Sequence, residues 1–277
     1  DINDNEKLDK ILLENNFDAI IHLAAIVGDP ACKLYSNLAI KTNWDTSKWL
    51  IDRCKELGVS KFIFASTCSN YGKMDDPKDY VDENSRLAPV SLYAELKVKF
   101  EKYMLSEMNK DTKFSPTSLR FSTVYGISPR MRFDLTVNEF TKDLTLGKEL
   151  VVFGEQFWRP YCHVKDFSNA FITVLKSEKE KVAYNVFNVG DTDENYTKQM
   201  LVNEIKKVLP DSKIKYVKKD DDPRDYRVNC DKIKKELDFK ISMTVPDGIM
   251  EIKRVIQENL IKDPEDQKYY NIPHERK

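Results

Sequence analysis

Glycine is scarce in this chain, with eight in 277 residues, at positions 28, 58, 72, 126, 147, 154, 190 and 248. No two stand close enough to make a Gly-x-Gly or Gly-x-x-Gly turn, so the chain lacks the close backbone approach that a dinucleotide pyrophosphate needs at a helix N-terminus. Neither sign of charge prevails: 45 Lys and Arg against 46 Asp and Glu leave a net charge of -1, with no basic surface for nucleic acid. Histidines number three, and the five cysteines (32, 54, 68, 162 and 230) show neither Cys-x-x-Cys nor metal-ligand spacing. A zinc site is therefore not expected, and reduced thiols of a cytoplasmic protein are. The longest apolar run, Ala19 to Gly28, contains His22 and is too short to span a bilayer, so no membrane partner is expected. No signal peptide, repeat or low-complexity tract is expected either. What remains, 41% hydrophobic and 33% charged, suits one large or two small soluble domains.

The stretch from Lys61 to Lys97 carries the strongest chemical pattern. Lys61-Phe-Ile-Phe-Ala-Ser66 reads as a buried strand and Thr67-Cys-Ser-Asn-Tyr-Gly72 breaks it. Pro89-Val-Ser-Leu-Tyr93-Ala-Glu-Leu-Lys97 then opens an amphipathic helix running to about Met108, with Tyr93 and Lys97 on one face. A phenol acting as a base near pH 7 needs roughly 3 units of pKa depression, or about 4 kcal/mol. An ammonium about 4 Å away supplies on the order of 4 kcal/mol at an effective dielectric near 20. Thr67, at a strand's carboxyl end, is placed to hydrogen-bond the oxygen that the phenol deprotonates. The spacing alone is weak, because Tyr161-Cys-His-Val-Lys165 matches it too. Tyr93 differs in starting a helix and following a strand that ends in Ser66, Thr67 and Ser69, whereas Tyr161 lies in a strand beside Pro160.

Phe64-Ala-Ser-Thr-Cys-Ser-Asn-Tyr-Gly72 followed by Pro89-x-Ser-x-Tyr93-x-x-x-Lys97 resembles the active-site segment of the extended short-chain dehydrogenase/reductases, the NAD-dependent sugar-nucleotide epimerases and dehydratases. The resemblance implies an α/β fold: a Rossmann-type parallel sheet with a smaller α/β substrate domain. Residues 1–126 would be a partial NAD-binding domain and 127–277 mainly substrate domain, with about 160–190 returning to the Rossmann sheet. Thr67, Tyr93 and Lys97 fall on the catalytic positions.

Asp1-Ile-Asn-Asp4 leads into a helix, Glu6 to Asn15, and a strand, Ala19 to Ala25. By resemblance, Asp1 and Ile2 hold adenine-contacting positions, Ala24 and Ala25 the cofactor-lining turn, and Asn43 a place near the cofactor. The family's first strand, glycine-rich turn and ribose-reading acid would then lie upstream. The sequence reads as a fragment lacking roughly 50 residues, about one and a half βαβ units; a natural NAD-free protein is the alternative. NAD is the expected cofactor and NADP the alternative, the discriminating residues being absent.

A long helix is expected from about Tyr35 to Leu57, with Gly58 as its C-cap. Trp44, Trp49, Leu50 and Ile51 give it more apolar surface than one face needs, and the resemblance implies a homodimer through this helix and that of Tyr93. Ser118 to Gly126 reads as a strand in which Thr123 stands where relatives often carry asparagine. Arg130 and Arg132 are phosphate ligands or simply solvated. By resemblance, Asn138 contacts the sugar nucleotide and Arg159, in Phe157-Trp-Arg-Pro-Tyr-Cys-His-Val-Lys-Asp166, its diphosphate, where a planar donor fork suits phosphate oxygens. His163 reads as structural and Asp166 as a helix N-cap. Strand Tyr184–Gly190 should rejoin the main sheet and a helix follow from about Thr197 to Val208. By resemblance to a late block of the family near the base and ribose, Arg224 is expected to be a second phosphate or ribose contact; the charge run alone reads as a solvated loop. A terminal helix, Pro246 to Ile261, and a peripheral polar tail end the chain.

In the resembled dehydratases one or two carboxylates follow the catalytic hydroxyl, whereas here Cys68, Ser69 and Asn70 do, which disfavours 4,6-dehydration. Double epimerisation at C3 and C5 is disfavoured because Cys68 stands one position early. The expected reaction is NAD-dependent oxidation at C4 of a nucleoside-diphosphate sugar, ending in 4-epimerisation. The alternatives are a 4-dehydrogenase or 4-ketoreductase, since Arg130-Met-Arg-Phe-Asp-Leu-x-Val-Asn138 resembles enzymes that oxidise GDP-heptoses, and a noncatalytic relative of the fold.

Overall fold

The computed structural model describes residues 1–74, 76, 79–106, 113–222 and 224–273. The expected helix end near Met108, Pro223 and the tail beyond 273 lie outside them. Four parallel strands make the main sheet in the order β1 (Ala19–His22), β2 (Lys61–Thr67), β3 (Ser115–Phe121), β7 (Asn185–Val189). Alternation along β2 explains its burial on both sides. Phe62 and Phe64 pack with Leu50, Ile51, Phe100 and Met104, while Ile63 faces Leu119, Phe187, Val174 and Phe171. At roughly 1.5–3 kcal/mol per fully buried large apolar side chain, these three residues fix the strand register.

The strand expected from Ser118 to Gly126 divides at Ser122. β3 stays in the main sheet, whereas β4 (Thr123–Tyr125) pairs with β6 (Trp158–His163), which pairs antiparallel with β8 (Asn195–Thr197). β5 (Leu150–Phe153) and β9 (Ile214–Val217) form a parallel pair. A separate core of Tyr125, Phe133, Val137, Leu201, Ile205, Ile249 and Ile252 lies beneath these smaller sheets.

Three expectations need correction. The long helix is interrupted: Asp29–Leu34 and Ser36–Ile40 precede a π-helical turn, Lys41–Thr46, and Ser47–Glu56 continues it. Asp166 is no N-cap. His163 caps the Val164–Lys176 helix through Nδ1, accepting from Lys165 N at 3.2 Å, and Asp166 accepts from Ser242 N, Ser242 Oγ and Met243 N. The tail is anchored. Tyr270 is buried, its hydroxyl 2.9 Å from Lys142 Nζ, and Arg130 donates to the Lys268 and Tyr270 carbonyls and to Asn271 Oδ1. Asn271 Nδ2 in turn donates to the Val27 carbonyl, which brings the tail against the loop after β1.

Candidate active site

β2 delivers Thr67 at its carboxyl end, where crevices form in open parallel sheets. A 3-10 turn, Cys68–Tyr71, follows, with Ser69 N donating to Thr67 Oγ1 at 3.2 Å. Gly72 comes next at φ +71°, and a Cβ there would meet the Ala88 carbonyl oxygen at 2.1 Å. Only glycine permits that closure, which sets down Ser91 as N-cap of the helix Leu92–Met104. Tyr93 and Lys97 then sit one turn apart, Tyr93 half-buried and Lys97 fully so.

The Thr67 hydroxyl stands near enough to the Tyr93 phenol to favour its ionised form, and Lys97 Nζ lies 5.9 Å from the Tyr93 ring centroid. Lys97 Nζ donates to the Ala65 carbonyl at 2.7 Å and sits 4.6 Å over the Phe64 ring. Burial lowers the lysine to about 8. The expected depression of the phenol is not what the structure gives. Burial pushes Tyr93 upward, and the charge of Asp29 adds to that, while the Thr67 hydroxyl and the Arg132 guanidinium pull it down. The reason is physical: the lysine is itself starved of solvent, and its ammonium is directed at a carbonyl rather than at the phenol oxygen.

Asn43, in the π-helical turn, clamps one residue of the loop after β1. Its Oδ1 accepts from Ile26 N at 2.8 Å and its Nδ2 donates to Ile26 O at 2.9 Å. Ala24 is exposed and Ala25 half-buried between β1 and this clamp. Asp1 accepts from Asn3 N, and Asn3 bonds Thr42 and Thr46 on either side of Asn43. Ile2 packs on the core that holds Phe62 and Leu50. All five expected cofactor-side positions outside the Tyr93 helix thus gather around one turn, a place where π-helical geometry often marks function.

The expected substrate-side residues are more committed to the protein than their types suggest. Asn138 is 2% exposed, accepting from Gly126 N and donating to the Arg132 carbonyl, so it positions backbone instead of facing a cleft. Arg159 pairs with Asp222 at 2.8 Å and donates to the Trp158 and Arg224 carbonyls. Its charge holds the Asp222 carboxyl below its ordinary range against the opposing effect of burial. Arg224 is half-exposed and reaches Asp29 at 2.9 Å and Asp222 at 3.7 Å. Arg130 is taken up by the tail, while Arg132 pairs with Asp134 at 2.6 Å and acts on Tyr93 electrostatically.

Sequence reasoning missed Asp29 and Ser91 and left Arg132 open between a phosphate ligand and a solvated side chain. Ser91 carried a usable signal, a hydroxyl immediately before an apolar-periodic run. Behind the site lies a buried pair, also missed: Arg120 Nη2 to Glu101 Oε1 at 2.6 Å, with Ser118 Oγ donating to Glu101 and Arg120 Nη1 to Tyr71 OH. Cys68, buried, donates to the Arg120 carbonyl.

Residues 1–190 match the family model described as the NAD dependent epimerase/dehydratase family. The chain belongs to that family. Among curated relatives, a Bacillus subtilis protein named an uncharacterized UDP-glucose epimerase, YtcB, is 33% identical over 179 residues, covering 64% of this chain and 54% of the relative. The UDP-glucose 4-epimerase of Caenorhabditis elegans is 25% identical over 232 residues, 75% of this chain and 64% of its own length. The chain therefore spans about half to two thirds of these relatives. Among solved structures, a Thermotoga maritima UDP-glucose 4-epimerase with UDP-glucose superposes at TM-score 0.81 with 24% identity, covering 94% of this chain and 83% of that one. At that identity the likeness establishes the α/β Rossmann-type fold.

The epimerase/dehydratase family uses NAD, and the residues present fit the reactive half of such a cofactor. Exposed Ala24 and the Asn43-clamped loop follow β1, and Tyr93 and buried Lys97 follow β2; Ile26 of that loop and Tyr93 pack on one small cluster of Cys32, Ala39 and Leu96. No residue of this chain is assigned to the pyrophosphate, because none of its glycines forms the phosphate-cradling turn. Among the described residues no helix is long and apolar enough to cross a membrane.

Proposed function

We propose that this chain carries the base and sugar-nucleotide side of an NAD-dependent enzyme that oxidises C4 of a nucleoside-diphosphate sugar, most simply as a 4-epimerase. One observation carries the reading: the Thr67 hydroxyl, the Tyr93 phenol and the Lys97 ammonium converge where β2 ends. Tyr93 takes the proton of the sugar hydroxyl, and Thr67 holds that oxygen in line with the phenol. Lys97 and Arg132 supply the positive charge that phenolate formation needs. Ala24, Ala25, Asn43, Tyr93 and Lys97, with Asp1 and Ile2, are the residues that would hold NAD, which would supply a hydride acceptor. Arg159 and Arg224 face the diphosphate, and Lys198, whose charge is felt at Asp222 together with theirs, adds a third cation there.

The three residues after Thr67 are Cys68, Ser69 and Asn70, none of them an acid that could expel a 6-hydroxyl. This supports epimerisation or simple oxidation over dehydration. A homodimer through helices Ser47–Glu56 and Leu92–Met104 belongs to the same reading, and sedimentation of the full-length protein tests it. The functional test is product analysis by NMR over UDP-, dTDP-, GDP- and CDP-sugars with full-length protein and its Tyr93→Phe variant. At least a roughly hundredfold loss is expected in the variant. A new C4 epimer supports the 4-epimerase, an accumulating ketone the dehydrogenase, and unchanged turnover removes Tyr93 as base.

A further inference from the structure

Asp29 joins two parts of the site that lie far apart in sequence. Its Oδ1 accepts from Ser91 Oγ at 2.6 Å, and Ser91 is the N-cap of the helix that carries Tyr93, its Oγ also accepting from Ala94 N. Its Oδ2 accepts from Arg224 Nη1 at 2.9 Å, across 195 positions of sequence. The carboxylate is only 26% exposed, so the pair is screened less than a surface pair, and its place at a helix N-terminus favours its charge. Arg224, 42% exposed, is the more accessible partner and the one open to an arriving phosphate. Arg159, by contrast, is held at 13% exposure between Asp222 and two carbonyls.

We propose that Asp29 is a positioning residue that couples Arg224, and through it the diphosphate end of the substrate, to the N-terminus of the helix bearing Tyr93. The inference rests on the reading of Arg224 and Tyr93 given above. With Arg224 on Asp29, the Ser91 cap is gripped from outside the helix and Tyr93 is fixed one residue past its start. When a phosphate competes for the guanidinium, Asp29 keeps Ser91 and loses its counter-charge, so nucleotide binding is felt at the base. Asp29 also acts directly on the phenol, its negative charge opposing phenolate.

Two measurements on full-length Asp29→Asn, Arg224→Gln and the double variant test this. The first needs no turnover: hydrogen exchange of the first helical turn, residues 91–96, where Ala94 N reports the cap. Arg224→Gln should speed that exchange about threefold or more, Asp29→Asn likewise, and the double variant no further. Unchanged exchange in Arg224→Gln overturns the coupling. The second is kcat/KM for the sugar nucleotide, where each single variant should lose about tenfold, mainly in KM for Arg224→Gln and in both constants for Asp29→Asn. The double should lose about tenfold as well, and a hundredfold, multiplicative loss overturns the proposal. If exchange responds as stated while wild-type protein turns over no sugar nucleotide, the coupling stands and the functional reading fails.

Discussion

Replacing Lys97 by methionine removes a buried charge while keeping most of the stem, and the structure sets what that should cost. Taking the 5.9 Å from Nζ to the Tyr93 ring centroid as the charge separation, an effective dielectric near 20 gives about 3 kcal/mol of Coulomb support for a phenolate. That is roughly a hundredfold in turnover if proton abstraction limits the rate. The pH dependence is the sharper signature. Burial holds Lys97 at about 8, so the ammonium is present below that pH and is lost above it, taking its support for the phenolate with it. Wild-type turnover should rise with pH as the phenol ionises more readily, then fall through an alkaline limb near 8. Lys97→Met should be slower throughout and show no such limb. The assay is initial-rate sugar-nucleotide turnover from pH 5.5 to about 9.5 at saturating NAD, with NAD affinity measured separately. A variant keeping a third or more of wild-type turnover, or an unaltered alkaline limb, would refute the electrostatic role.

Glu101→Ala should destabilise the fold by about 3–5 kcal/mol in urea unfolding, because the Arg120 guanidinium, 5% exposed, is left unpaired; Glu101→Leu with Arg120→Met should cost markedly less, and equal costs would contradict the stranded-charge argument. Asn43→Ala leaves the Ile26 N–H without its partner, at about 1–3 kcal/mol, and its carbonyl with only the weak Cys32 Sγ donor, and full-length protein should bind NAD at least about tenfold more weakly by fluorescence titration; equal affinity would show that the clamped loop does not line the cofactor. His22, buried by Phe62, Phe64 and Phe100, has its pKa lowered to about 3, first by burial and then by Lys97. The unfolded chain therefore takes up a proton below about 6.5 that the folded one refuses, so stability present above that pH is lost toward pH 3, by about 2 kcal/mol at pH 5. Glu194, raised to about 7 by burial, works in the opposite direction, so the comparison must be with His22→Gln, whose loss between pH 7 and 5 should be smaller by that amount; identical slopes would place the histidine elsewhere.

The parts of this site that could be read in the sequence are those whose physics is local. Tyr93 and Lys97 share a face because an α-helix repeats every 3.6 residues, and Thr67 lies at a strand end because an apolar run stops there. The interruption at Lys41–Thr46 has no proline or glycine to announce it. It is set by tertiary demands, Asn43 reaching Ile26 while Thr42 and Thr46 hold Asn3. The division of β3 from β4 at Ser122 is equally silent, since no proline or glycine stands between Leu119 and Tyr125 and the choice of sheet belongs to distant partners, β7 and β6.

Charge was the least legible quantity, and for one reason. Whether an arginine is a ligand, a strut or a solvated side chain depends on which carboxylate the fold brings to it, and those partners lie far off. Arg159 finds Asp222 63 positions away, and Arg224 finds Asp29 across 195. Arg130 spends its donors on a tail that composition alone would leave loose. The direction of the Tyr93 shift follows the same logic: helical spacing places a lysine beside a phenol, but burial decides the sign, with a small further push from the Asp29 charge. A phenol held protonated without substrate ionises only once positive charge is supplied or negative charge is compensated. On the coupling proposed above, the Asp29–Arg224 pair is where occupancy of the nucleotide side bears on the base, through the Ser91 cap.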